Sequence, residues 1–208
     1  MYKGTNASDG IGIGTAVIVE EAELIITRRE VNDTEAEVQR FKGALETTIA
    51  ETQKMAEDLA ARVGEKEAEI MQGHMMLLSD PMLTGEIENS IQNDKVNSEF
   101  AIENVCNMYA DMFASMGDEL MQQRATDMRD IKVRMQRTLM GLQSVDVSAL
   151  PAGTILVAKD LTPSMTAGIN PANVTGIVTE LGGRTSHSAI LARALEIPAV
   201  VAVNGLLD

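Results

Sequence analysis

Glycine and methionine are segregated along this chain, and the segregation limits what the chain can fold into. Ten of the 16 glycines lie before residue 15 or after residue 150, and four of the five prolines lie after residue 150. Twelve of the 14 methionines lie between residues 55 and 140. Glycine and proline favour turns, whereas methionine is a good helix former. The pattern predicts a helical block inserted into a glycine-rich domain that contains strands.

The central part of the chain has the periodicity of amphipathic helices. After the capping residues at 32–34, apolar positions recur at steps of three and four residues over seven turns: Val38, Phe41, Leu45, Ile49, Thr52, Met55, Leu59 and Val63. Gly64 ends this helix, and Asp80-Pro81 marks a break and the start of another helix. Similar spacing predicts helices over 65–78, from about 97 to 116, and through 120–139. Long helices with short connections indicate a helical-hairpin bundle.

The two ends of the chain contain short β-rich runs instead. These runs cover residues 13–19, 24–27, 154–158, 174–179 and 199–203. A helix that begins near His187 and ends before Pro198 separates the last two, which outlines a βαβ unit. Because neither end could close a core alone, the expected fold is α/β plus all-α. Residues 1–29 and 147–208 form a discontinuous α/β domain, and residues 30–146 form the inserted helical-hairpin bundle.

Composition excludes several classes of protein. No apolar run approaches the ~20 residues of a membrane span, and no signal peptide opens the chain, so we expect a cytoplasmic protein without membrane insertion. The single cysteine, Cys106, excludes an internal disulfide. Residues 30–146 hold 23 Asp and Glu against 11 Lys and Arg, which gives this block a net charge of −12 out of −14 for the whole chain. Such a surface repels nucleic acid and favours a basic partner, although acidic charge can also serve solubility alone.

The segment from Gly182 to Arg193 has the composition of an anion site. Two glycines allow close backbone approach, and the Thr185-Ser186 pair suits the start of a helix, where N–H groups and the helix dipole favour negative charge. His187 follows directly and could accept a phosphoryl group there. The alternative is a glycine-rich turn beside an ordinary surface histidine.

This segment resembles the phosphohistidine signature of phosphoenolpyruvate-utilising enzymes, which include pyruvate phosphate dikinase, phosphoenolpyruvate synthase and enzyme I of the bacterial sugar phosphotransferase system. Residues 3–14 and the Arg-Ala-Thr-Asp-Met-Arg-Asp-Ile stretch at 124–131 resemble enzyme I in particular. The Asp-Leu-Thr-Pro-Ser-Met-Thr stretch at 160–166 fits in the right order. The chain is thereby identified as similar to the amino-terminal part of the enzyme I family, the phosphoenolpyruvate–protein phosphotransferases.

The resemblance implies roles for the residues of this segment. His187 would be the phosphoryl acceptor, attacking through Nε2 on a swivelling α/β domain, and the Thr166 hydroxyl would orient its ring. The environment of the phosphate would be formed by Gly182, Gly183, Arg184, Thr185, Ser186 and Arg193. From sequence alone, Thr166 would be a turn residue after Pro163, and a structural role for Arg193 is as well supported.

The resemblance also implies that the helical block docks the phosphocarrier protein HPr. The implied contact residues are Glu65, Glu67, Ile70, His74, Leu77, Arg124, Asp127 and Arg129. His74 has neither a glycine pair nor a hydroxyl beside it, so we do not expect it to accept phosphate. At this stage two possibilities remain open for Ile70, His74 and Leu77: an exposed docking face, or packing against a neighbouring helix.

The resemblance implies that the complete family member has a carboxy-terminal barrel, which binds phosphoenolpyruvate and Mg²⁺ and from which the histidine is phosphorylated. HPr then passes the phosphoryl group towards incoming sugars. The complete enzyme would be a homodimer. We expect that barrel to be absent from a chain ending 21 residues after His187. The chain would then bind no metal and would not use phosphoenolpyruvate directly. The alternatives are a carrier domain of a dikinase or synthase, against which the 124–131 motif argues, and an interaction module in which His187 is inert.

Overall fold

A computed structural model describes residues 2–207 and shows a mixed α/β protein that is mostly helical. Met1 and Asp208, the outermost residues of the predicted α/β domain, lie outside the described residues. The strands are β1 Thr5–Ser8, β2 Thr15–Ile18, β3 Thr154–Ala158, β4 Val174–Thr179 and β5 Ala199–Val201. The helices are α1 Thr34–Val63, α2 Glu65–Leu78, α3 Pro81–Asp94, α4 Ser98–Ser115, α5 Glu119–Met140, α6 Pro163–Ala167 and α7 His187–Ala194.

One five-stranded sheet combines strands from both ends of the chain, in the order β1-β5-β4-β3-β2. Strands β2 to β5 pair in parallel, and β1 pairs antiparallel with β5 at one edge. Parallel strands need helical crossovers, and α6 and α7 supply them between β3, β4 and β5. Apolar side chains of the sheet and of these helices form its core, among them Leu156, Ile177, Val201, Ile169 and Ala189.

The parallel arrangement brings two loops to the same edge of the sheet. Ala158 at the end of β3 lies opposite Thr179 at the end of β4. Residues 159–162 therefore leave the sheet beside residues 180–186, and each loop runs into a helix. Ligands of open α/β sheets bind at this carboxyl edge. The topology thus places α6, with Thr166, and α7, with His187, near one another, and the two helices pack together.

The central helices begin and end at residues with recognisable capping chemistry. Gly64, with φ of +118°, separates α1 from α2. Asp80 and Asp118 cap α3 and α5 by accepting hydrogen bonds from Met82 N and Leu120 N. The apolar faces enclose a second core that contains, among others, Phe41, Leu78, Ile87, Ile102, Met128 and Ile131.

Most of the predicted elements are confirmed, and the exceptions are short. Helices α1, α2, α4, α5 and α7 and strands β2 to β5 lie where the sequence patterns predict them. The predicted strand over 24–27 is wrong, because these residues form no strand, and the nearest pairing is a single bridge between Glu30 and Val96. Strand β1 and helix α6 were not predicted, since Thr5–Ser8 contains a single β-branched residue and five residues are too few for a helical period.

The chain divides into two compact units. One contains residues up to 22, residues 57–70 and residues from 145 onward, and the other contains residues 23–56 and 71–144. The end of α1 and the start of α2 therefore belong to the unit that contains the sheet. Within residues 2–207, none of the helices has the length and apolar character that crossing a membrane requires.

Candidate functional site

The start of α7 is organised by the hydroxyl groups around His187. Ser186 is the N-cap residue, and its Oγ accepts a hydrogen bond from Ala189 N at 3.3 Å while donating to Gly183 O at 2.8 Å. The Ser188 Oγ lies 2.9 Å from the same Ser186 Oγ. His187 is the first residue of the helix, where backbone N–H groups point outward and the helix dipole is positive. This position favours an anion beside the imidazole.

Gly182 allows the chain to turn into this helix. Its φ of +99° is one that residues with a side chain rarely adopt. A side chain there would also lie 3.6 Å from Thr179 Oγ1 and 3.8 Å from Asp160 Oδ1. The Asp160 carboxyl, which accepts a hydrogen bond from Leu161 N, is thus close to the glycine pair, and desolvation raises its pKa above the usual range.

His187 and Thr166 differ in access to solvent. His187 is 9% exposed, whereas Thr166 is completely buried in α6. The Thr166 hydroxyl donates its hydrogen to Thr162 O at 2.9 Å. A hydroxyl oxygen with its hydrogen so engaged still has lone pairs that can accept a second hydrogen bond. Thr166 could therefore accept from a ring N–H on the neighbouring helix, but it could not donate to that ring at the same time.

The two arginines of the signature differ in what they bind. Arg184 is exposed, as is Thr185. Arg193 Nη1 donates to Ala7 O at 2.9 Å and to Arg184 O at 3.0 Å. Arg193 thereby fastens α7 to strand β1 and to the glycine-rich loop, which favours the structural role for this residue.

The implied docking residues vary in exposure. Glu65 and Arg129 are exposed, while Glu67, Ile70 and Arg124 are partly buried. Leu77 is also partly buried and packs against the helical core. For Leu77, packing on neighbouring helices is therefore what the structure shows, and a substitution there would disturb folding together with any docking.

His74 does not lie on an exposed docking face, so that possibility is wrong for this residue. The residue is fully buried, and its Nε2 lies 3.1 Å from Asp127 Oδ1. Because a carboxylate only accepts hydrogen bonds, Nε2 carries the proton of this contact. The pairing explains why the ring faces inward: α2 is apolar on two sides, and Asp127 on α5 provides a partner on one of them. A buried ring with Nε2 engaged is not an accessible phosphoryl acceptor.

Arg124 lies across a glycine of α2. Its Nη1 is 3.5 Å from Asp127 Oδ2, and a Cβ added to Gly73 would be only 2.4 Å from that same Nη1. Asp127 thus lies between His74 and Arg124 and contacts both. The glycine leaves room for the guanidinium against the helix backbone, and this role was not predicted for Gly73.

Two other residues of the site were not predicted although the sequence contains a signal for one of them. Thr162 caps α6, accepting from Met165 N through its hydroxyl, and Pro163 occupies the first turn. A threonine before a proline is a typical helix start. Asp160 offered no such signal, because its position beside Gly182 depends on the pairing of β3 with β4.

The residues that the structure describes do not fit a metal ion. Across positions 2–207, no three side chains of His, Cys, Asp or Glu are close enough together to coordinate one.

Comparison with known protein families gives two matches that together cover most of the chain. Residues 3–124 match the family described as PEP-utilising enzyme, N-terminal. Residues 150–208 match the family described as PEP-utilising enzyme, mobile domain.

Curated relatives with the same name occur in several bacteria. The phosphoenolpyruvate-protein phosphotransferase of Listeria monocytogenes is 46% identical over 96% of this chain and 35% of its own length. That of Bacillus subtilis is 43% identical over the same shares. The Enterococcus faecalis protein is 42% identical over 100% of this chain and 36% of its own length. The chain therefore spans about a third of the length of these relatives.

Two solved structures have a similar fold. A solution structure of enzyme I (nEIt) matches with a TM-score of 0.83 and 39% identity, over 99% of this chain and 84% of that one. The N-terminal domain of Enzyme 1 - Nitrogen matches with a TM-score of 0.66 and 27% identity, over 97% of this chain and 83% of that one.

Proposed function

Because the chain belongs to the phosphoenolpyruvate-utilising enzymes and corresponds to the amino-terminal part of the phosphoenolpyruvate-protein phosphotransferases, we propose that it is the phosphoryl-carrying part of such an enzyme. His187 receives a phosphoryl group that originates from phosphoenolpyruvate and passes it to HPr for sugar uptake. The observation that carries this proposal is the placement of His187. It is the first residue of α7, directly after the Ser186 cap and four residues after Gly183.

The transfer makes definite demands on the imidazole. The attacking nitrogen must be unprotonated, because its lone pair forms the new N–P bond while the bond from phosphorus to its donor breaks, either the P–O bond of phosphoenolpyruvate or the bond to phosphorylated HPr. The other ring nitrogen then carries the proton and needs an acceptor. We assign attack to Nε2 and the accepting role to Thr166, whose own hydrogen is engaged by Thr162 O.

The new phosphoryl group adds negative charge at the helix start. Backbone N–H groups and the dipole of α7 stabilise that charge. Gly182, Gly183, Thr185 and Ser186 form the surrounding loop, and Arg184, which is exposed, is the arginine available to approach the phosphate. Arg193 contributes by holding this loop against α7.

Magnesium supplies charge neutralisation for the phosphoenolpyruvate step in the family. Residues 2–207 contain no cluster that fits the ion, so no step on this chain is assigned to it.

We further propose that the helical part docks HPr. An acidic surface suits a basic partner, and exposed or partly buried groups of α2 and α5, namely Glu65, Glu67, Ile70, Arg124 and Arg129, are the contacts we assign. His74 and Asp127 are both buried, and they contribute indirectly, because Asp127 contacts Arg124. In this proposal residues 1–29 and 147–208 form the swivelling carrier domain, 30–146 form the docking domain, and the complete enzyme is a cytoplasmic homodimer.

Phosphorylation by phosphorylated HPr tests the carrier role. The 208-residue chain should gain one phosphoryl group that is labile in acid and stable in base, as a phosphohistidine is. His187→Ala should abolish the gain, and His74→Ala, which keeps His187, should still acquire the group at that residue. A label found on His74, or on neither histidine, would contradict the proposal, and the absence of any label would favour an interaction module.

A second pair of variants tests the assigned role of Thr166. Thr166→Val removes the hydroxyl at nearly constant shape and should lower the transfer rate about tenfold or more, since the ring N–H loses its acceptor. Thr166→Ser keeps the hydroxyl and should retain most of the rate. Equal rates in the two variants would show that the hydroxyl does not act on the ring.

A further inference from the structure

Arg62, in the last turn of α1, binds the segment that contains Thr166. Its Nη1 donates to Ile169 O at 2.6 Å, and its Nη2 donates to Ala167 O. Its Nε donates to Asp58 O, one turn earlier in its own helix, at 3.2 Å. All three nitrogens of the guanidinium are thus engaged with backbone carbonyls. A planar guanidinium with three such bonds is held in a single orientation.

Helix α6 depends on contacts at its ends. It has five residues, Pro163–Ala167, and a helix this short is not stable through its own hydrogen bonds. The Thr162 cap and Pro163 define its start. At its end the final carbonyls of a helix have no partner inside it, and a positive charge there interacts favourably with the helix dipole. Arg62 supplies both the donors and the charge.

We propose that Arg62 is a positioning residue for phosphoryl transfer. It fixes the carboxyl end of α6, and through α6 it holds Thr166 where the hydroxyl accepts the ring N–H of His187. Ala167, whose carbonyl Arg62 binds, is the neighbour of Thr166 in sequence. In a helix of one and a half turns, loosening at the last residue changes the orientation of the one before it. The inference rests on the roles proposed above for His187 and Thr166.

The position of Arg62 in the chain makes this role distinctive. It belongs to residues 57–70, which group with the sheet although the helical insert contains them in sequence. Its two carbonyl partners are 105 and 107 residues further along the chain. These two hydrogen bonds therefore connect the last turn of α1 to the carboxyl end of α6, within one compact unit.

The test compares Arg62→Ala and Arg62→Lys with the control Lys54→Ala, which removes an exposed cation from the same helix. Transfer from phosphorylated HPr to the full chain is measured over a range of HPr concentrations, well below the unfolding temperature of each variant. Arg62→Ala should lower kcat about fivefold to tenfold with KM unchanged, the effect of losing hydrogen bonds of ordinary strength. Arg62→Lys should recover part of the rate, and Lys54→Ala should match wild type.

Two further readouts distinguish positioning from general stability. In the ring ¹⁵N spectrum of His187, Arg62→Ala should show a mixture of tautomers where the wild type shows mainly one. In a double-mutant cycle, adding Arg62→Ala to Thr166→Val should cost little more kcat than Thr166→Val alone, because both changes remove the same constraint. If Arg62→Ala does not fold, the Arg62→Lys and Thr166→Val pair gives the same cycle.

Each contrary outcome has a separate meaning. Unchanged kcat and an unchanged ring spectrum in Arg62→Ala, additive losses in the cycle, or a change in KM alone would overturn the positioning role. Failure of the wild-type chain to become phosphorylated on His187 would instead overturn the proposed function on which the inference rests.

Discussion

Replacing Gly73 with alanine separates docking from stability, because the structure predicts a small effect on the stability of the fold and a large effect on docking. The added Cβ would lie 2.4 Å from Arg124 Nη1, about 1 Å closer than an ordinary contact between carbon and nitrogen. The guanidinium must therefore move. It is the flexible end of a long side chain and is partly exposed, so it can move without disturbing the backbone of α2.

The cost to folding should be small or negative. Gly73 lies inside α2, where alanine is favoured over glycine by roughly 0.5–1 kcal/mol. The displaced Arg124 loses its contact with Asp127, now 3.5 Å, and a partly exposed pair of this kind contributes up to about 1 kcal/mol. The two effects nearly cancel, so the unfolding temperature of Gly73→Ala should stay within a few degrees of wild type.

The effect on docking should be larger. If Arg124 makes a charge-assisted hydrogen bond to HPr, displacing it removes about 1.5–3 kcal/mol, which corresponds to a roughly tenfold to hundredfold weaker Kd. Calorimetric titration with HPr and thermal unfolding measure the two quantities. Gly43→Ala, at a helical glycine with open space around the added Cβ, should stabilise the fold and leave Kd unchanged. An unchanged Kd for Gly73→Ala would refute the docking role given to Arg124.

Four other predictions concern charge and the phosphoryl donor. If the exposed apolar side chain of Met76 on α2, which is 70% exposed, belongs to the docking surface, Met76→Glu should weaken HPr binding by placing a charge in an apolar contact. Wild-type binding should also weaken as salt rises, because exposed charges are screened within about 10 Å at 0.1 M; a Kd insensitive to both changes would contradict docking on α2. Burial alone would raise the pKa of Glu99, but hydrogen bonds from Arg40, the backbone and Asn97 hold that pKa at about 2. The charged form therefore stabilises the fold above the ordinary carboxyl pKa. Because the Arg40 partner is partly exposed and screened by solvent, on the order of 1–2 kcal/mol should be lost as the pH falls from 5 towards 2. Urea unfolding should show this loss in wild type and a flatter profile in Glu99→Gln; parallel profiles would be the contrary result. Finally, the 208-residue chain mixed with phosphoenolpyruvate and Mg²⁺ alone should show no phosphohistidine by intact mass, and a stoichiometric gain would locate a donor site within it.

Elements with a sustained period could be predicted from the sequence, and elements defined by distant contacts could not. The seven-turn stripe of α1 is set by local spacing, and it folds as one helix over Thr34–Val63. Strand β1 exists through pairing with β5, almost 200 residues away in sequence. A four-residue segment has no pattern of its own that distinguishes a strand from a loop.

The candidate site shows the same division. Ser186 and His187 could be assigned to a helix start because capping is a local property. The burial of His74 could not be predicted, because α2 has apolar residues on two sides and Asp127, 53 residues later, decides which side the ring faces. From the sequence, Arg62 resembles any basic residue on the surface of the last turn of a helix. Its role could not be predicted, because its carbonyl partners lie more than 100 residues further along the chain.

The connection through Arg62 has a consequence for dividing the protein into parts. Joining the sheet segments without the insert would remove residues 57–70, and with them the donors to Ala167 O and Ile169 O. Helix α6 would keep its Thr162 cap and lose the support at its other end. The sequence signature of the acceptor histidine would then be complete while the orientation of Thr166 would not. A carrier domain that ends at the limits of the signature would thus be a slower phosphoryl acceptor than the whole chain, because part of what positions the histidine belongs in sequence to the helices that we assign to docking.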